Sequence, residues 1–533
     1  MTLVVVLTAS LALAASVSGS AFPRNNGSSN PRVLILGGGV AGVIAARTLH
    51  ERGIDNFVII EARDELGGRM KSQPFAGYTI ELGANWCVLR NSFYVQQADT
   101  IVDRRVQGTQ TGTGPANPIF ELALKHNVTT QYNDFYGSIT TYDTTGEVDY
   151  LDVFNDAVDA YSALTVTGGA RVTGSLVDLT SKTGYALNGV KPRDPYEMAA
   201  EYYQASISIT ITYSLRMTLG RSLIGNMLKN LIRPRGLLRL GHANNFTFDA
   251  DEGGFSEDNL LAIDQRGFKA LIQLEAQEFL QPEHVSLNST VKTISYSRDG
   301  AQVTLTSGET IEGDYALCTF SIGVLQDDYV TFEPPLPDYK MEAIQSMTMA
   351  TYTKIFLKFP EKFWFDTELA LYADPTRGTY PVWQSLDHPN FFPGSGLIFA
   401  TVTGDWSLRV EALSDKQVQD EAMDVLRKMY PNVTIPEPTE FLFPRWNSDP
   451  LYRGSYSNWP PSFFSQHHNN LRSNIDRLYF AGEATSQKYF GFLQGAYDEG
   501  LKVATNMVEC MRGDGCVTLQ HVESVKNAFP YEI

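Results

Sequence analysis

The segment 31–69 constrains the fold more than any other part of the sequence. It opens with a short apolar run, Val33–Leu36, which has the length of one buried parallel strand. The run passes into a Gly-x-Gly-x-x-Gly turn at 37–42 and then into an alanine-rich stretch that predicts a helix over 43–51. A second apolar run, Phe57–Ile60, ends on an acidic residue. This order of elements predicts a parallel α/β unit that binds a dinucleotide.

Each part of this unit has its own physical role. We expect Gly37 to permit the tight turn, Gly39 to let the backbone approach a pyrophosphate, and Gly42 to let helix and strand pack closely. The N-terminus of the helix offers free N–H groups and a partial positive charge to the phosphates. Glu61 lies 19 residues beyond the last glycine, where its carboxylate can accept hydrogen bonds from ribose hydroxyls. A glycine turn alone is a weak signal, but the complete order indicates a dinucleotide site.

Length, charge and composition exclude several classes of protein. A chain of 533 residues predicts roughly two to four domains. Its 43% hydrophobic and 19% charged residues are ordinary for a folded protein. A net charge of −18 argues against nucleic acid as a partner, because nucleic-acid binders carry basic faces. The cysteines and histidines show no clustered spacing, so we expect no metal ion as a cofactor.

The N-terminal segment has the features of a targeting sequence for secretion. Residues 1–21 form an apolar run that ends in small residues, and no ionisable side chain precedes Arg24. We predict a signal peptide over 1–21, although the usual basic residues before the apolar region are missing. A membrane anchor is the alternative, but the run is short for a span. We therefore expect a secreted or lumenal protein with no membrane span in the mature chain.

Secretion would make two further features relevant. The sequence contains Asn-x-Ser/Thr sequons, which are candidate N-glycan sites in a secreted chain. They begin at Asn26, Asn127, Asn245, Asn288 and Asn432. In an oxidising compartment, Cys510 and Cys516 could pair.

Residues beyond the glycine turn indicate which dinucleotide is bound. The chain continues Glu61-Ala62-Arg63, then Leu66-Gly67-Gly68-Arg69, then Glu81-Leu82-Gly83-Ala84-Asn85-Trp86. This order resembles the flavin amine oxidase family, whose first nucleotide-binding unit continues into a Gly-Gly-Arg segment against the FAD phosphates. The guanidinium fork of Arg69 suits phosphate, whereas a surface arginine after a turn is the alternative. The resemblance implies FAD contacts at Glu61, Arg63, Gly68, Arg69, Gly83, Ala84, Asn85 and Trp86.

The segment 349–360 carries the candidate catalytic residue. At strand period Tyr352, Lys354 and Phe356 share one face, and the residues alone favour a solvated face for such a lysine. The stretch looks closely like the plant-type polyamine oxidases, in which the lysine of this Tyr-Thr-Lys triplet holds a water against flavin N5. The resemblance implies that Lys354 is catalytic and that Tyr352 contacts the substrate. A buried ammonium can have its pKa lowered and can then serve as a proton shuttle.

Two later blocks, 444–460 and 478–500, also resemble the family. Their aromatic residues would pack in a core if each were considered alone, but together they look like aromatic walls around flavin and amine. We predict a helix over 495–511 whose start brings N–H groups to the cofactor. The resemblance implies FAD contacts at Trp446, Tyr452, Gly482, Glu483, Phe492 and Leu493, an adenine contact from the backbone of Val291, and substrate contacts at Tyr456 and Phe492.

The departures from the family concern the substrate. The resemblance covers blocks at 32–86, 261–364 and 439–508. Two positions after Trp86, the plant polyamine enzymes carry a carboxylate that grips a distal amine, and Val88 stands there in this chain. Tyr456 replaces a phenylalanine of the family and Phe492 replaces a tyrosine. The resemblance therefore implies amine oxidation, with Val88 at the substrate, but leaves polyamine specificity open.

The predicted fold class is α/β, the two-domain fold of FAD-linked amine oxidases. A Rossmann-like FAD-binding domain is built from discontinuous segments, and an α+β substrate domain is inserted into it. The predicted segments are 31–132, 261–325 and 441–512 for the FAD-binding domain, 133–260 and 326–440 for the substrate domain, and 513–533 for a C-terminal tail. We expect a monomer. We also expect noncovalent FAD, because no cysteine lies between 478 and 500.

The predicted function is FAD-dependent oxidation of a polyamine-like or other primary or secondary amine to imine and aldehyde, with O2 reduced to hydrogen peroxide. One alternative is an L-amino-acid oxidase, which would need an arginine for the substrate carboxylate; Arg235, Arg239 and Arg377 are the candidates. A second alternative, of another class, is a flavoprotein that binds its cofactor without turnover.

Overall fold

A computed structural model describes residues 30–84, 117–173, 179–207, 256–487 and 489–513, together with the backbone of 86–90. Several predicted features lie outside the described residues. These are the signal peptide, Asn85, the side chains of Trp86 and Val88, the sequons at Asn26 and Asn245, Cys516, Arg235 and Arg239.

The glycine turn follows one strand of a five-stranded parallel sheet. Its strands are, in spatial order, Val285–Ser286, Phe57–Ile60, Val33–Leu36, Tyr315–Cys318 and Leu478–Phe480. The four longer strands are buried along their whole length, as expected for a parallel sheet that is covered on both faces. The sheet takes its strands from widely separated parts of the sequence.

Two helices pack closely against this sheet and against each other. The helix predicted over 43–51 spans Val40–Glu51, and the helix predicted over 495–511 spans Leu493–Arg512. A Cβ on Gly500 would lie 2.4 Å from the carbonyl oxygen of Ala41, so glycine permits the close approach of the two helices. Both helices begin beside the carboxyl ends of the parallel strands.

A seven-stranded sheet positions the Tyr-Thr-Lys triplet. Its strands are, in spatial order, Glu440–Leu442, Tyr352–Lys358, Leu397–Thr403, Val382–Ser385, Leu369–Tyr372, Ile139–Asp143 and Gly146–Glu147. Ile355, Leu357 and Phe359 pack into a core with the helix Asp415–Met429, whereas Phe356 packs with Trp446 on the other face. The predicted alternation of the two faces along this strand is confirmed.

Smaller elements complete the described chain. The remaining strands are Ser72–Phe75, Tyr78–Glu81, Trp86–Arg90, Thr130–Asn133, Ser256–Ala262, Val291–Tyr296, Ala301–Leu305, Thr310–Gly313, Thr331–Glu333, Thr348–Ala350 and Tyr456–Asn458. The remaining helices are Pro118–Lys125, Leu151–Thr173, Ser181–Leu187, Pro195–Ile207, Ala270–Gln277, Ile322–Leu325, Asp338–Ser346, Gly404–Glu411 and Ser465–Arg472, with 3-10 turns at Pro282–His284 and Glu483–Thr485. The strand-turn-strand pattern expected near 285–305 is present, because Val291–Tyr296 pairs antiparallel with Ala301–Leu305.

The five-stranded parallel sheet and the seven-stranded sheet are the two main sheets that the predicted α/β fold class requires. The segment boundaries of the two domains stay a prediction. Within the described residues, we find no helix with the combination of length and apolar character that crossing a bilayer requires. Cys510 is disulfide-bonded, and its predicted pairing with Cys516 stays a prediction.

Candidate active site

A cavity of about 660 Å³ lies against the carboxyl edge of the parallel sheet. Ligands of open α/β sheets bind beyond the carboxyl ends of the parallel strands. Here the cavity is lined by residues that follow four of those strands, namely Gly37, Glu61, Thr319 and Gly482. The N-terminal turns of Val40–Glu51 and Leu493–Arg512 also open onto the cavity.

Almost all the predicted site residues meet in this cavity. Its wall includes Gly37, Gly39, Glu61, Arg63, Gly68, Arg69, Gly83, Ala84, Val291, Tyr352, Lys354, Trp446, Tyr452, Tyr456, Gly482, Glu483, Phe492 and Leu493. Gly42 lies behind the wall. Asn85 and the side chains of Trp86 and Val88 are outside the described residues.

The three glycines of the turn are under three different constraints. Gly37 has φ +107°, a conformation that favours glycine. A Cβ on Gly42 would lie 2.0 Å from the carbonyl oxygen of Gly37, so packing requires glycine there. Gly39 has φ −77°, and the nearest atom to its added Cβ would be Gly68 Cα at 3.8 Å. Neither conformation nor protein packing requires glycine at 39, and the space in front of it is open to a ligand.

Glu61 fixes the glycine turn at the end of its strand. Its buried carboxylate accepts hydrogen bonds from the backbone N–H of Gly38 at 2.6 Å and of Arg63 at 2.9 Å. These neutral donors keep the carboxylate in place at the cavity wall, where it has further lone pairs to offer.

Arg69 and Glu483 form an ion pair at the wall. Arg69 Nη1 donates to Glu483 Oε1 at 2.7 Å and to the carbonyl oxygen of Ser455 at 3.3 Å. The Glu483 carboxylate also accepts from the backbone N–H of Ser457 at 3.0 Å and of Gly491 at 2.7 Å, and from the Ser457 hydroxyl. The sequence predicted both charged residues as cofactor contacts, but it gave no sign that each one also holds the other.

A second arginine is held by an aromatic residue. Arg63 Nη1 donates to the Tyr452 hydroxyl at 2.7 Å and to the carbonyl oxygen of Gly68 at 3.1 Å. The Tyr452 ring meets Trp446 edge to face, with 5.0 Å between centroids, and both residues are buried. This pair builds one aromatic wall of the cavity from the block 444–460.

Lys354 lines the same cavity from the strand Tyr352–Lys358, and it is buried, with 1% of its surface exposed. Its Nζ donates to the main-chain carbonyl oxygens of Glu81 at 3.0 Å and Gly83 at 2.7 Å. Burial lowers the pKa of Lys354 to about 7, and the negative charge of Glu81 partly opposes that shift. The alternative of a solvated lysine is therefore wrong, because this side chain is buried and bound to main-chain carbonyl oxygens.

Aromatic residues line the same cavity as the lysine. The rings of Tyr352 and Tyr456 lie 6.5 Å apart between centroids, and burial raises the pKa of Tyr352 to about 12. The Tyr456 hydroxyl is buried and has no hydrogen-bond partner among the residues that the structure describes. Phe492 lines the same cavity as the residue before the helix Leu493–Arg512. Ser455 anchors this group, since its hydroxyl accepts from the Tyr352 N–H at 2.9 Å and donates to the Tyr352 carbonyl oxygen at 3.1 Å.

Sequence reasoning missed the roles of Ser455 and of the Glu81 side chain. Both stand in motifs that the resemblance used, Gly-Ser-Tyr and Glu-Leu-Gly-Ala, but neither has a local signal for its contacts. Arg377, a candidate for binding a substrate carboxylate, instead pairs with Glu201 at 2.7 Å and does not line the cavity.

One cluster of metal-ligand type occurs among the described residues, away from the cavity. His126, Glu275 and Glu278 approach one another, but the Lys125 ammonium donates to both carboxylates at 2.7 Å. Arg47 binds Glu275 as well, at 2.6 Å. The cluster is an ion-pair network.

Comparison with known proteins decides the family. The family described as flavin containing amine oxidoreductase matches residues 40–508. The chain belongs to this family. Polyamine oxidase 1 of Zea mays is 32% identical over 91% of this chain and 92% of its own length, and polyamine oxidase 7 of Oryza sativa subsp. japonica is 32% identical over 89% and 94%. A putrescine oxidase variant redesigned for cofactor binding shares the fold, with a TM-score of 0.62 and 17% identity over 90% of this chain and 99% of that chain.

This amine oxidase uses FAD, and it converts an amine to imine and aldehyde with O2 reduced to hydrogen peroxide. The described residues fit the cofactor. Two helix N-termini face the cavity, a side-chain-free opening lies at Gly39, and a carboxylate is fixed at the end of the second strand.

The open space at Gly39 predicts that Gly39→Ala separates cofactor binding from folding. The deflavinated variant should melt at the temperature of deflavinated wild type, because its new methyl group meets nothing closer than 3.8 Å. Its Kd for FAD, measured by fluorescence titration, should rise at least about tenfold, which corresponds to about 1.4 kcal/mol.

Gly42→Ala is the contrast, because its methyl group would meet a carbonyl oxygen at 2.0 Å. It should lower the melting temperature of the deflavinated protein. A wild-type Kd for FAD in Gly39→Ala would contradict the ligand explanation of this glycine.

Proposed function

We propose that this amine oxidase binds its substrate amine between Tyr352, Tyr456 and Phe492, with Lys354 as the catalytic residue. One observation carries the proposal: a buried lysine lies in the same cavity as the glycine turn and is oriented by two carbonyl oxygens. When bound, FAD supplies the acceptor for the substrate hydride and the route of electrons to O2.

For the cofactor, we propose that Gly37, Gly39 and the helix N-terminus bind the pyrophosphate and that Glu61 binds the ribose. The backbone of Val291 would meet the adenine. The remaining contacts would come from Arg63, Gly68, Arg69, Gly83, Ala84, Asn85, Trp86, Trp446, Tyr452, Gly482, Glu483, Phe492 and Leu493. We propose noncovalent binding, and pigment that stays in an acid-precipitated pellet would contradict it.

Lys354 is suited to moving protons near neutral pH. A pKa of about 7 allows the side chain to exist as ammonium or as neutral amine under working conditions. The carbonyl oxygens of Glu81 and Gly83 fix its head group by accepting two N–H donors. We propose that it holds a proton and a water molecule beside the reacting amine.

The aromatic residues would orient the carbon chain of the amine. Aromatic faces contact methylene groups without hydrogen-bonding them, and they tolerate residual positive charge. The relatives support a polyamine-like substrate, whereas Val88 at the position of a family carboxylate supports a simpler primary or secondary amine. The ion pair of Arg377 with Glu201 argues against this one arginine as the partner of an amino-acid carboxylate.

Lys354→Met tests the catalytic role. We expect a fall of about 100-fold in turnover, in line with the usual contribution of a positioned acid or base, while FAD remains bound. Lys358→Met is the matched control, because Lys358 lies four residues further along the same strand and donates to the Ser395 carbonyl oxygen outside the cavity. Equal turnover in Lys354→Met and wild type, measured by peroxide release, would remove the assignment.

A peroxide-coupled panel of spermidine, simple monoamines and leucine tests the substrate class. We expect oxidation of at least one amine and none of leucine. Because only the uncharged amine can form an iminium, the rate should rise with pH through the pKa of the bound amine. A rate that is flat from mildly acidic to basic pH would contradict this mechanism, and turnover of leucine alone would favour the amino-acid oxidase.

We also propose that the protein is a secreted, N-glycosylated monomer. The apolar segment 1–21 supports secretion, and Asn127, Asn288 and Asn432 are all exposed, as glycan acceptors must be. Protein collected from the medium of a eukaryotic host should lose mass on enzymatic removal of N-glycans. Retention inside the cell, or an unchanged mass, would contradict the proposal.

A further inference from the structure

Glu81 places a second ionisable group near the catalytic lysine. It ends the strand Tyr78–Glu81, and 6% of its surface is exposed. Its carboxylate accepts from the backbone N–H of Phe268 at 2.8 Å and from the Ser72 hydroxyl at 3.0 Å. Both donors are neutral, so they orient the carboxylate without cancelling its charge.

Lys354 shares this enclosed region, since its Nζ bonds the main-chain carbonyl oxygen of the same Glu81. Opposite charges in a medium of low dielectric constant interact far more strongly than they do in water. Among the described residues, Lys354 and Lys269 are charged groups that act on Glu81, and Lys269 is itself bound to Glu65 at 2.6 Å. Within the described part of the chain, the charged group that acts on Lys354 is Glu81.

The two carbonyl oxygens orient the head group of Lys354 but carry no net charge to offset that of an ammonium. A neutral amine has two N–H donors, which are enough to satisfy the carbonyl oxygens of Glu81 and Gly83. The third proton creates a buried positive charge, whose cost falls when a negative charge lies nearby. Burial lowers the pKa of Lys354 and raises that of Glu81, and each charge opposes the shift of the other.

We propose that Glu81 is a positioning residue, whose buried carboxylate keeps the proton on Lys354 in the resting enzyme. No bond forms or breaks in this role, because the proton stays on Nζ and the carboxylate supplies only its charge. The inference rests on the proposed function of Lys354.

The test is the pH dependence of turnover in Glu81→Gln, which keeps the shape of the side chain and a carbonyl oxygen for its donors. The pH dependence of turnover contains one transition from the substrate amine and one from Lys354. Two substrates with different amine pKa values separate them, because only the amine transition moves with the substrate. In Glu81→Gln the substrate-independent transition should move to lower pH by about one unit or more, because removal of the carboxylate destabilises the ammonium. A pH titration of the flavin absorbance in resting holoenzyme should show the same shift.

Two variants serve as controls. Ser72→Ala removes a hydrogen bond from Glu81 but leaves its charge, so the transition should stay near its wild-type pH. Glu81→Asp keeps the charge, so its transition should lie close to the wild-type pH. A transition at the wild-type pH in Glu81→Gln would overturn the inference while leaving Lys354 as the catalytic residue. A transition that persists in Lys354→Met would overturn the proposed function together with the inference.

A second measurement does not depend on the folding of Glu81→Gln. The interaction is reciprocal, so loss of the ammonium in Lys354→Met should raise the proton affinity of Glu81. The infrared difference spectrum between this variant and wild type at neutral pH should then contain the band of a buried protonated carboxyl group. Lys358→Met should show no such band. Its absence from Lys354→Met would overturn the inference.

Discussion

The burial of Lys354 is the constraint on which the active site depends. An ammonium group removed from water costs several kcal/mol unless fixed partners offset the loss. Here the partners come from another part of the chain, the turn that follows the strand Tyr78–Glu81. The seven-stranded sheet must therefore approach this turn in one register, and the same register brings Tyr352 to the cavity wall.

The pair of Arg69 and Glu483 has a similar effect on the cofactor side. The two residues lie 414 positions apart in the sequence, and the carboxylate also binds the backbone at Ser457 and Gly491. One acceptor thus joins the segment after the glycine turn to the two aromatic blocks. A discontinuous set of segments becomes a continuous wall because each segment donates to the same buried carboxylate.

Much of this arrangement follows from local patterns in the sequence. The glycine turn, the two helix starts and the alternation along Tyr352–Lys358 are set by residues close together in the chain. The first helix begins at Val40 rather than 43 because its first turn lies inside the glycine motif, where the pattern of glycines hides the helical period. Predicting the burial of Lys354 needed the family resemblance, since the residues alone favour a solvated face for this lysine.

Contacts between residues that are far apart in the chain could not be predicted from local sequence patterns. Nothing near Arg69 in the sequence marks Glu483 as its partner, and nothing near Glu81 marks its approach to a lysine on another sheet. Such pairs arise from the packing of segments that are far apart in the chain, which no periodicity encodes. The same limit applies to Arg377, whose partner Glu201 lies on the helix Pro195–Ile207.

The order of the parallel strands has a consequence for biosynthesis. The strand Leu478–Phe480 lies at one edge of the sheet, pairs with Tyr315–Cys318, and leads into Gly482 and Glu483 at the cavity. A ribosome must therefore release nearly the whole polypeptide before this wall can close. Loading of the flavin is then a late event in maturation, and a chain truncated before this strand would lack part of its cofactor cavity.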